Sequence, residues 1–556
     1  MATGLSPDLV QLIVMYMVAE AGVASLLLAL PPALLTASFA ALQTLFRALF
    51  AGDFVDELFA DDFVDATRSR SMHLSTLVLP ETFDIYDKPI LLAAFQAASC
   101  LYASLTTDTS SRVPWDLPPH VAIELPRRIA QARHVFSRLA PWHTRISLLS
   151  VEVSSVHCHW TRSDLEKLAT LLPTLPRLRS LHLSCEGPYA FEMGLVLTAL
   201  FTLRSLTHLS LTTNVWSEAI SRVFAEWLTT APVSSLRLRG RFPMQSQVQI
   251  VVRAIRSYRT LRAPSPVRAI RSCRTLRSLA LDDTALVRAF VAAPLPAHLC
   301  ELELGIDRPT AVDEPVDKIS NAVALHLHLE ALGVRLGLYS RPLDILPLVQ
   351  CLPTLRRLRR LDLTNLELRP MARDALWTVL PRLTELRLEK SHLGDDGVAE
   401  IAAVLPACYR LRRLSLIRQG ISDVGALILA RSLPLCPSLA DVDLTDNVIA
   451  NDGAMAFWPL LPRLTMLSLR RNRIGNDAAM ALSEVLRITA HMRSLDLSEN
   501  NVGLPALRAI FTALRDDSFR ASVINVSVTS SDYDVARSFA LSCLRDPYRV
   551  GITRLR

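Results

Sequence analysis

The 556 residues carry a formal net charge of +7; half are hydrophobic and 20% are charged, so core material is ample and an unfolded chain is excluded. Lysine stands only at Lys88, Lys167, Lys318 and Lys390, which leaves the basicity to arginine and makes it too dilute, by itself, to mark a nucleic-acid-binding protein. Nine cysteines, odd in number and never spaced C-x-x-C, argue against a disulfide framework and for buried, reduced thiols in a cytoplasmic or nuclear protein.

Residues 5 to 50 are apolar, and the first basic residue is Arg47. A secretory leader needs positive charge ahead of its apolar core, and a membrane span needs oriented basic flanks. Asp8 and Glu20 interrupt the run, which argues against a span, although Ala21 to Phe50 has only Gln43 and Arg47 as charged or amide residues and keeps a membrane-tethered receptor among the alternatives. The composition predicts a small helical element over 1–71, broken at Pro31-Pro32 and closed by an acidic hinge of Asp53, Asp56, Glu57, Asp61, Asp62 and Asp65.

The stretch Leu5 to Met17 resembles the opening of an F-box, with Pro7, Asp8, Leu9, Val10, Ile13, Tyr16 and Met17 carrying the likeness. The proline falls one place late, and the later cysteine/tryptophan helix of that family is not recognisable. The resemblance implies that these residues meet the adaptor of a cullin-type ubiquitin ligase. Read from the residues alone, the same stretch is an amphipathic cap on the domain that follows.

From residue 72 onward, L-x-L units or their equivalents recur. They stand at Leu77/Leu79, Val121/Ile123, Leu149/Val151, Leu181/Leu183, Leu209/Leu211, Leu236/Leu238, Leu279/Leu281, Leu302/Leu304, Leu332/Val334 and Leu361/Leu363, and the last is Val526/Val528. The step from Leu77 to Val121 is too long, and the polar loop Thr106 to Pro119 is expected to hold its excess. The step from Leu236 to Leu279 is too long as well. There the segment Val252 to Arg262 returns as Val267 to Arg277, so residues 252–277 are a tandem duplication inserted into one ordinary repeat. It brings arginines at 253, 256, 259, 262, 268, 271, 274 and 277; with Tyr258 as its one aromatic residue it is poor for stacking on bases, and a solvated face is the better reading.

Between Leu358 and Leu514 the repeat is unmistakable. Leu386, Leu414, Val442, Leu467 and Leu495 follow one another at intervals of 28, 28, 25 and 28 residues. Each begins L-x-L-x-x-N-x-L or a close variant, with Ser391, Gln419, Asn447, Asn472 and Asn500 at the asparagine place and Gly397, Gly425, Gly453, Ala478 and Ala506 recurring in step. The alternation makes a strand, the apolar run after it makes a helix, and one such unit cannot bury its own apolar face. The asparagines are expected to tie backbone groups in the turn. Prolines at 353, 381, 406, 434 and 462 are expected to end the helices, placing the three missing residues of the short repeats in the helix-to-strand link.

This pattern resembles the ribonuclease-inhibitor type of leucine-rich repeat. The resemblance implies an α/β solenoid over 72–556, a horseshoe of parallel strands with outer helices, which binds a protein partner on its concave face.

No phosphate-cradling loop, H-E-x-x-H or nucleophile-base grouping is legible, and no cofactor or metal is expected. In His157-Cys158-His159 the two histidines would share one strand face and the cysteine the other, so they cannot converge. On the strands, residues between the buried leucines point away from the core. They put Glu385, Arg387, Glu389, Lys390, Arg413, Arg418, Asp441, Asp443, Asp446, Arg470, Arg471, Asp496 and Glu499 on the partner-binding side. The reading is therefore a non-enzymatic protein-binding module. It is the substrate-recruiting subunit of a ubiquitin ligase if the F-box likeness holds, and otherwise a scaffold or inhibitor of the ribonuclease-inhibitor type.

Overall fold

The computed structural model describes residues 143–154, 161–186, 190–213, 230–240, 275–292, 294–306, 315–337, 345–486 and 494–514, with strand segments and single positions elsewhere. The F-box-like stretch, the His157 to His159 trio and the duplicated arginines from Arg253 to Arg274 lie outside the described residues. Two compact units divide the chain, Met1–Leu276 and Arg277–Arg556.

In the first unit, β1 (Thr76–Val78), β2 (Ser104–Thr106), β3 (Ala122–Ile129), β4 (Ile146–Ser154), β5 (Ser180–Glu186), β6 (His208–Thr213) and β7 (Ser235–Arg239) pair in parallel, each with the next. Strand β2 corrects the sequence expectation. Leu77 pairs with Leu105 and Leu105 with Ile123, so the long step holds a further strand and not only a polar loop. The segment Ser-Leu-Thr has a single leucine, and without a second one the alternation cannot be seen.

In the second unit, β8 (Ser278–Asp282), β9 (Glu301–Ile306), β10 (Ala331–Leu336), β11 (Arg360–Thr364), β12 (Glu385–Glu389) and β13 (Arg413–Ile417) continue the same pattern. It runs on through β14 (Asp441–Asp443), β15 (Met466–Ser468), β16 (Ser494–Leu497), β17 (Val523–Val528) and β18 (Val550–Arg554). The protein is an α/β solenoid of parallel strands with helices between them, as the repeat requires. Leucines stack on leucines: Leu361, Leu386, Leu414, Val442, Leu467 and Leu495 are register partners in turn and are all buried. At the far end the register differs from expectation by one dyad, since Leu495 pairs with Ile524 and Leu497 with Val526; the further strand β18 then pairs Ile524 with Val550.

The short repeats are also built otherwise than expected. Helices 394–404, 423–432 and 476–486 have 11, 10 and 11 residues, whereas 370–377 and 451–455 have 8 and 5, so the missing residues come out of the helix and not the link. Leu-Pro does not end the α-helix uniformly. It opens a 3₁₀ turn in each repeat, at Leu352–Thr354, Leu380–Arg382, Leu405–Ala407 and Leu433–Leu435, and in the fifth the turn is Trp458–Leu460, with Pro459 in that role. Large buried aromatics stand where the helix is short: Trp377 in one repeat, Phe457 and Trp458 in the other. Their indole N–H groups are satisfied, Trp377 by Glu400 Oε2 at 2.9 Å and Trp458 by the Ala478 carbonyl at 3.0 Å.

Candidate functional site

Two ladders of side chains hold the solenoid turns in register and so position the strand face. The first is the asparagine row. Asn447 Oδ1 accepts the N–H groups of Gln419 and Ile421 at 2.9 and 3.1 Å, while its Nδ2 donates to the Leu416 and Leu444 carbonyls. Asn500 repeats this toward Asn472 and Ile474. Gln419 stands in for asparagine one turn earlier and accepts from Ser391 and Leu393, both at 3.3 Å. Each amide thus satisfies buried backbone groups that no strand or helix partner reaches.

The second ladder is legible only after the fold is known. Asp395 accepts Ser422 N at 2.8 Å, Asp423 accepts Ala450 N at 2.6 Å, Asn451 accepts Gly475 N and Asn476 accepts Gly503 N, both at 2.7 Å. Every donor lies beside the start of the next repeat's helix, where backbone N–H groups lack partners. The signal in the sequence is an Asp or Asn two places before Gly397, Gly425, Gly453 and Ala478.

On the strand face away from the core, charges are interleaved between turns. Glu385, Arg413 and Asp441 are consecutive register partners, and the Arg413 guanidinium bridges both carboxylates at 3.3 and 3.1 Å. Burial alone would push the Arg413 pKa down; the two carboxylates outweigh it and hold the group above its ordinary value. Arg387 reaches Glu389 at 3.1 Å and Asp362 at 3.9 Å. Asp443 accepts from Thr445 N and Oγ1, and Asp496 from Ser498 N and Oγ. The face is therefore a lattice of ion pairs, with acidic and basic side chains interleaved.

Lys390, Arg418, Asp446, Arg471 and Glu499 are not on the strands themselves. Each sits just beyond a strand with φ between 54 and 58°, the left-handed region that side chains with a Cβ rarely occupy. The last four form one row: Arg418 pairs with Asp446 at 2.6 Å, Asp446 with Arg471 at 4.0 Å and Arg471 with Glu499 at 2.5 Å, while Arg470 joins Glu499 at 2.5 Å. Burial would raise the Glu499 pKa, but the hydrogen bonds and charges of Arg470 and Arg471 hold it below the usual carboxylate range. These side chains still meet solvent, Arg471 keeping 49% of its surface and Glu499 30%. Such an arrangement can present charge and hydrogen bonds at fixed places.

Among the described residues no group of His, Cys, Asp and Glu is placed to hold a metal ion, and no helix is long and apolar enough to cross a membrane. Cys408 and Cys436 are buried free thiols. Burial, then the neighbouring Cys436, pushes Cys408 up to about 12, and burial pushes Cys436 up as well, which leaves both unreactive.

A family model described as "Leucine Rich repeat" matches residues 435–457, 462–483 and 490–511. The chain carries leucine-rich repeats. These segments contain Asp441, Asp443, Asp446, Arg470, Arg471, Asp496 and Glu499, so most of the interleaved face is repeat sequence. The comparison with curated proteins finds no match. Among solved structures, a chain from the crystal structure of the Rad7 and Elc1 complex in yeast is similar, at 16% identity and a TM-score of 0.41 over 62% of this chain and 85% of that one.

Proposed function

We propose that this protein is a non-enzymatic protein-binding module and that its partner docks on the strand face between Glu385 and Glu499. The observation that carries this reading is the row Arg418, Asp446, Arg471 and Glu499. Long charged side chains are held at fixed places by ion pairs, on a backbone conformation that costs about 1–2 kcal/mol per residue, and remain open to solvent. Strain of this kind collects at functional sites. Groups already ordered lose less entropy when a partner arrives.

The F-box-like residues Pro7, Asp8, Leu9, Val10, Ile13, Tyr16 and Met17 supply the finer reading, a substrate-recruiting subunit of a cullin-type ubiquitin ligase. On that reading the strand face holds the substrate and the N-terminus holds the adaptor. Co-purification of the full chain from its native cells, compared with an Asp446→Lys variant and with a Leu9→Asp, Ile13→Asp variant, tests both levels. The first change is expected to release the partner and keep the adaptor, and the second the reverse. A partner retained by both variants with no ligase adaptor in either would leave a scaffold or inhibitor of the ribonuclease-inhibitor type, holding its partner elsewhere.

A further inference from the structure

The edge of the second unit's sheet where the chain runs into its strands is basic, whereas the strand face interleaves both signs. Five links lead into consecutive strands: 352–359, 380–384, 405–412, 433–440 and 458–465. They hold arginine at 356, 357, 359, 382, 410, 412 and 463, and no aspartate or glutamate. They are neighbours in space, because Thr384 N donates to Arg359 O, Arg412 N to Thr384 O, Ala440 N to Arg412 O and Thr465 N to Ala440 O.

Part of this pattern is structural. Arg382 donates to the Leu352 and Pro353 carbonyls, Arg463 to the Cys436 carbonyl and Arg359 to the Arg382 carbonyl, which ties neighbouring chain turns together. Arg356, Arg357, Arg410 and Arg412 do none of this. All four are exposed, and among the described residues none of them forms an ion pair, whereas Arg387, Arg413, Arg418, Arg470 and Arg471 on the strand face are all matched by carboxylates. Glu330, the exposed acid one strand earlier, is ion-paired with none of them. Tyr409 and Leu435 lie among these arginines in adjacent links, 60% and 56% exposed, and Ser438 Oγ donates to the Tyr409 carbonyl between them.

We infer that this upstream edge is a second docking surface, distinct from the strand face, for an acidic protein segment carrying apolar side chains. Unmatched guanidinium groups favour carboxylates, which they grip through two parallel N–H donors. Tyrosine and arginine are the side chains that most often anchor protein interfaces, and the exposed leucine adds apolar area beside them. Arg356 and Arg357 precede β11 and Arg410 and Arg412 precede β13, two strands on, about 10 Å at the usual strand spacing. About three residues of extended chain span that distance. A single-stranded nucleic acid would want open aromatic faces, but the Tyr409 ring is covered by the Arg410 guanidinium, 5.5 Å from its centroid.

The test uses the full chain and a fluorescein-labelled peptide of alternating glutamate and leucine, read by polarisation. Vesicles containing phosphatidylserine and a labelled oligouridylate serve as the rival arms. Joint Arg357→Glu and Arg412→Glu substitution is expected to weaken peptide binding at least about tenfold. The milder pair Arg356→Ser and Arg410→Ser is expected to weaken it in the same direction, and serves if the charge reversals disturb folding. Arg471→Ser on the strand face is expected to leave it within about twofold, which separates this surface from the one proposed above. No binding of the peptide, equal loss in the Arg471 variant, or preference of the edge for vesicles or oligouridylate would overturn the inference.

Discussion

Gly425 lies so close to Asp395 of the preceding repeat that a Cβ on it would come within 2.3 Å of Asp395 Oδ1. That carboxylate cannot swing away freely, because the same oxygen accepts Ser422 N at 2.8 Å. Gly453 stands in the same relation to Asp423 Oδ1, at 2.4 Å. The recurring small residue therefore leaves room for the ladder that ties one helix start to the next.

Gly425→Ala is expected to destabilise the protein by about 1–3 kcal/mol, the usual range for overpacking a filled interior. In an Asp395→Ala background the added methyl meets no carboxylate, so the two changes together should cost less than their sum. Denaturant unfolding of the double-mutant cycle measures this; strictly additive effects would sever the link between glycine and ladder.

Leu444 is fully buried and Asp443, its neighbour, is not. Leu444→Ala should cost about 2–5 kcal/mol as a cavity. Asp443→Ala should cost about 0.5–1.5 kcal/mol, since it gives up hydrogen bonds from Thr445 but opens no void. Equal midpoint shifts in urea would contradict the strand register.

Much of this was legible in the sequence, and the omissions have physical causes. Leucine positions reveal the strands because a buried dyad must be apolar on every turn, and within each unit the dyads pair in the expected register, from Leu181/Leu183 to Leu236/Leu238 in the first and from Leu279/Leu281 to Leu414/Leu416 in the second. Strand β2 escaped because Leu105 stands alone between Ser104 and Thr106, and β18 because Val550-Gly551-Ile552 lacks leucine. The asparagine row could be read from one repeat, since its contacts recur. The ion pairs could not: Arg413 meets Glu385 and Asp441, each 28 residues away, only because the register sets them side by side. The shortening of two helices was hidden by the prolines, which keep their distance from the preceding strand and say nothing of where the α-helix stopped.

Asn447→Ala should be among the most damaging polar changes in the repeats. It leaves Gln419 N and Ile421 N buried without an acceptor, at about 1–3 kcal/mol each. Asn447→Asp restores the acceptor and loses the donors to the Leu416 and Leu444 carbonyls, so it should not rescue the protein. Thermal unfolding of the two variants checks this, and a wild-type midpoint for either would mean that the ladder is dispensable.

The pairing of Glu499 with Arg470 and Arg471 makes part of the stability depend on acid. Because the folded carboxyl titrates below its ordinary value, its contribution is complete above the unfolded pKa and is lost as pH falls through the depressed folded value. Glu499→Gln should therefore flatten the fall in unfolding midpoint below about pH 4.5, near the ordinary glutamate range. An identical acid profile in the variant would show that the pair adds nothing there.

The most direct measurement of where the partner sits is site-specific photo-crosslinking in the full chain. A photoreactive residue would replace Asp443 on the strand face, Met480 on the exposed side of helix 476–486, or Arg410 on the upstream edge. The strand-face account predicts a protein adduct at 443 that disappears in the Asp446→Lys background, and no adduct at 480. An adduct of equal yield at 480, or one at 443 indifferent to Asp446→Lys, would contradict it.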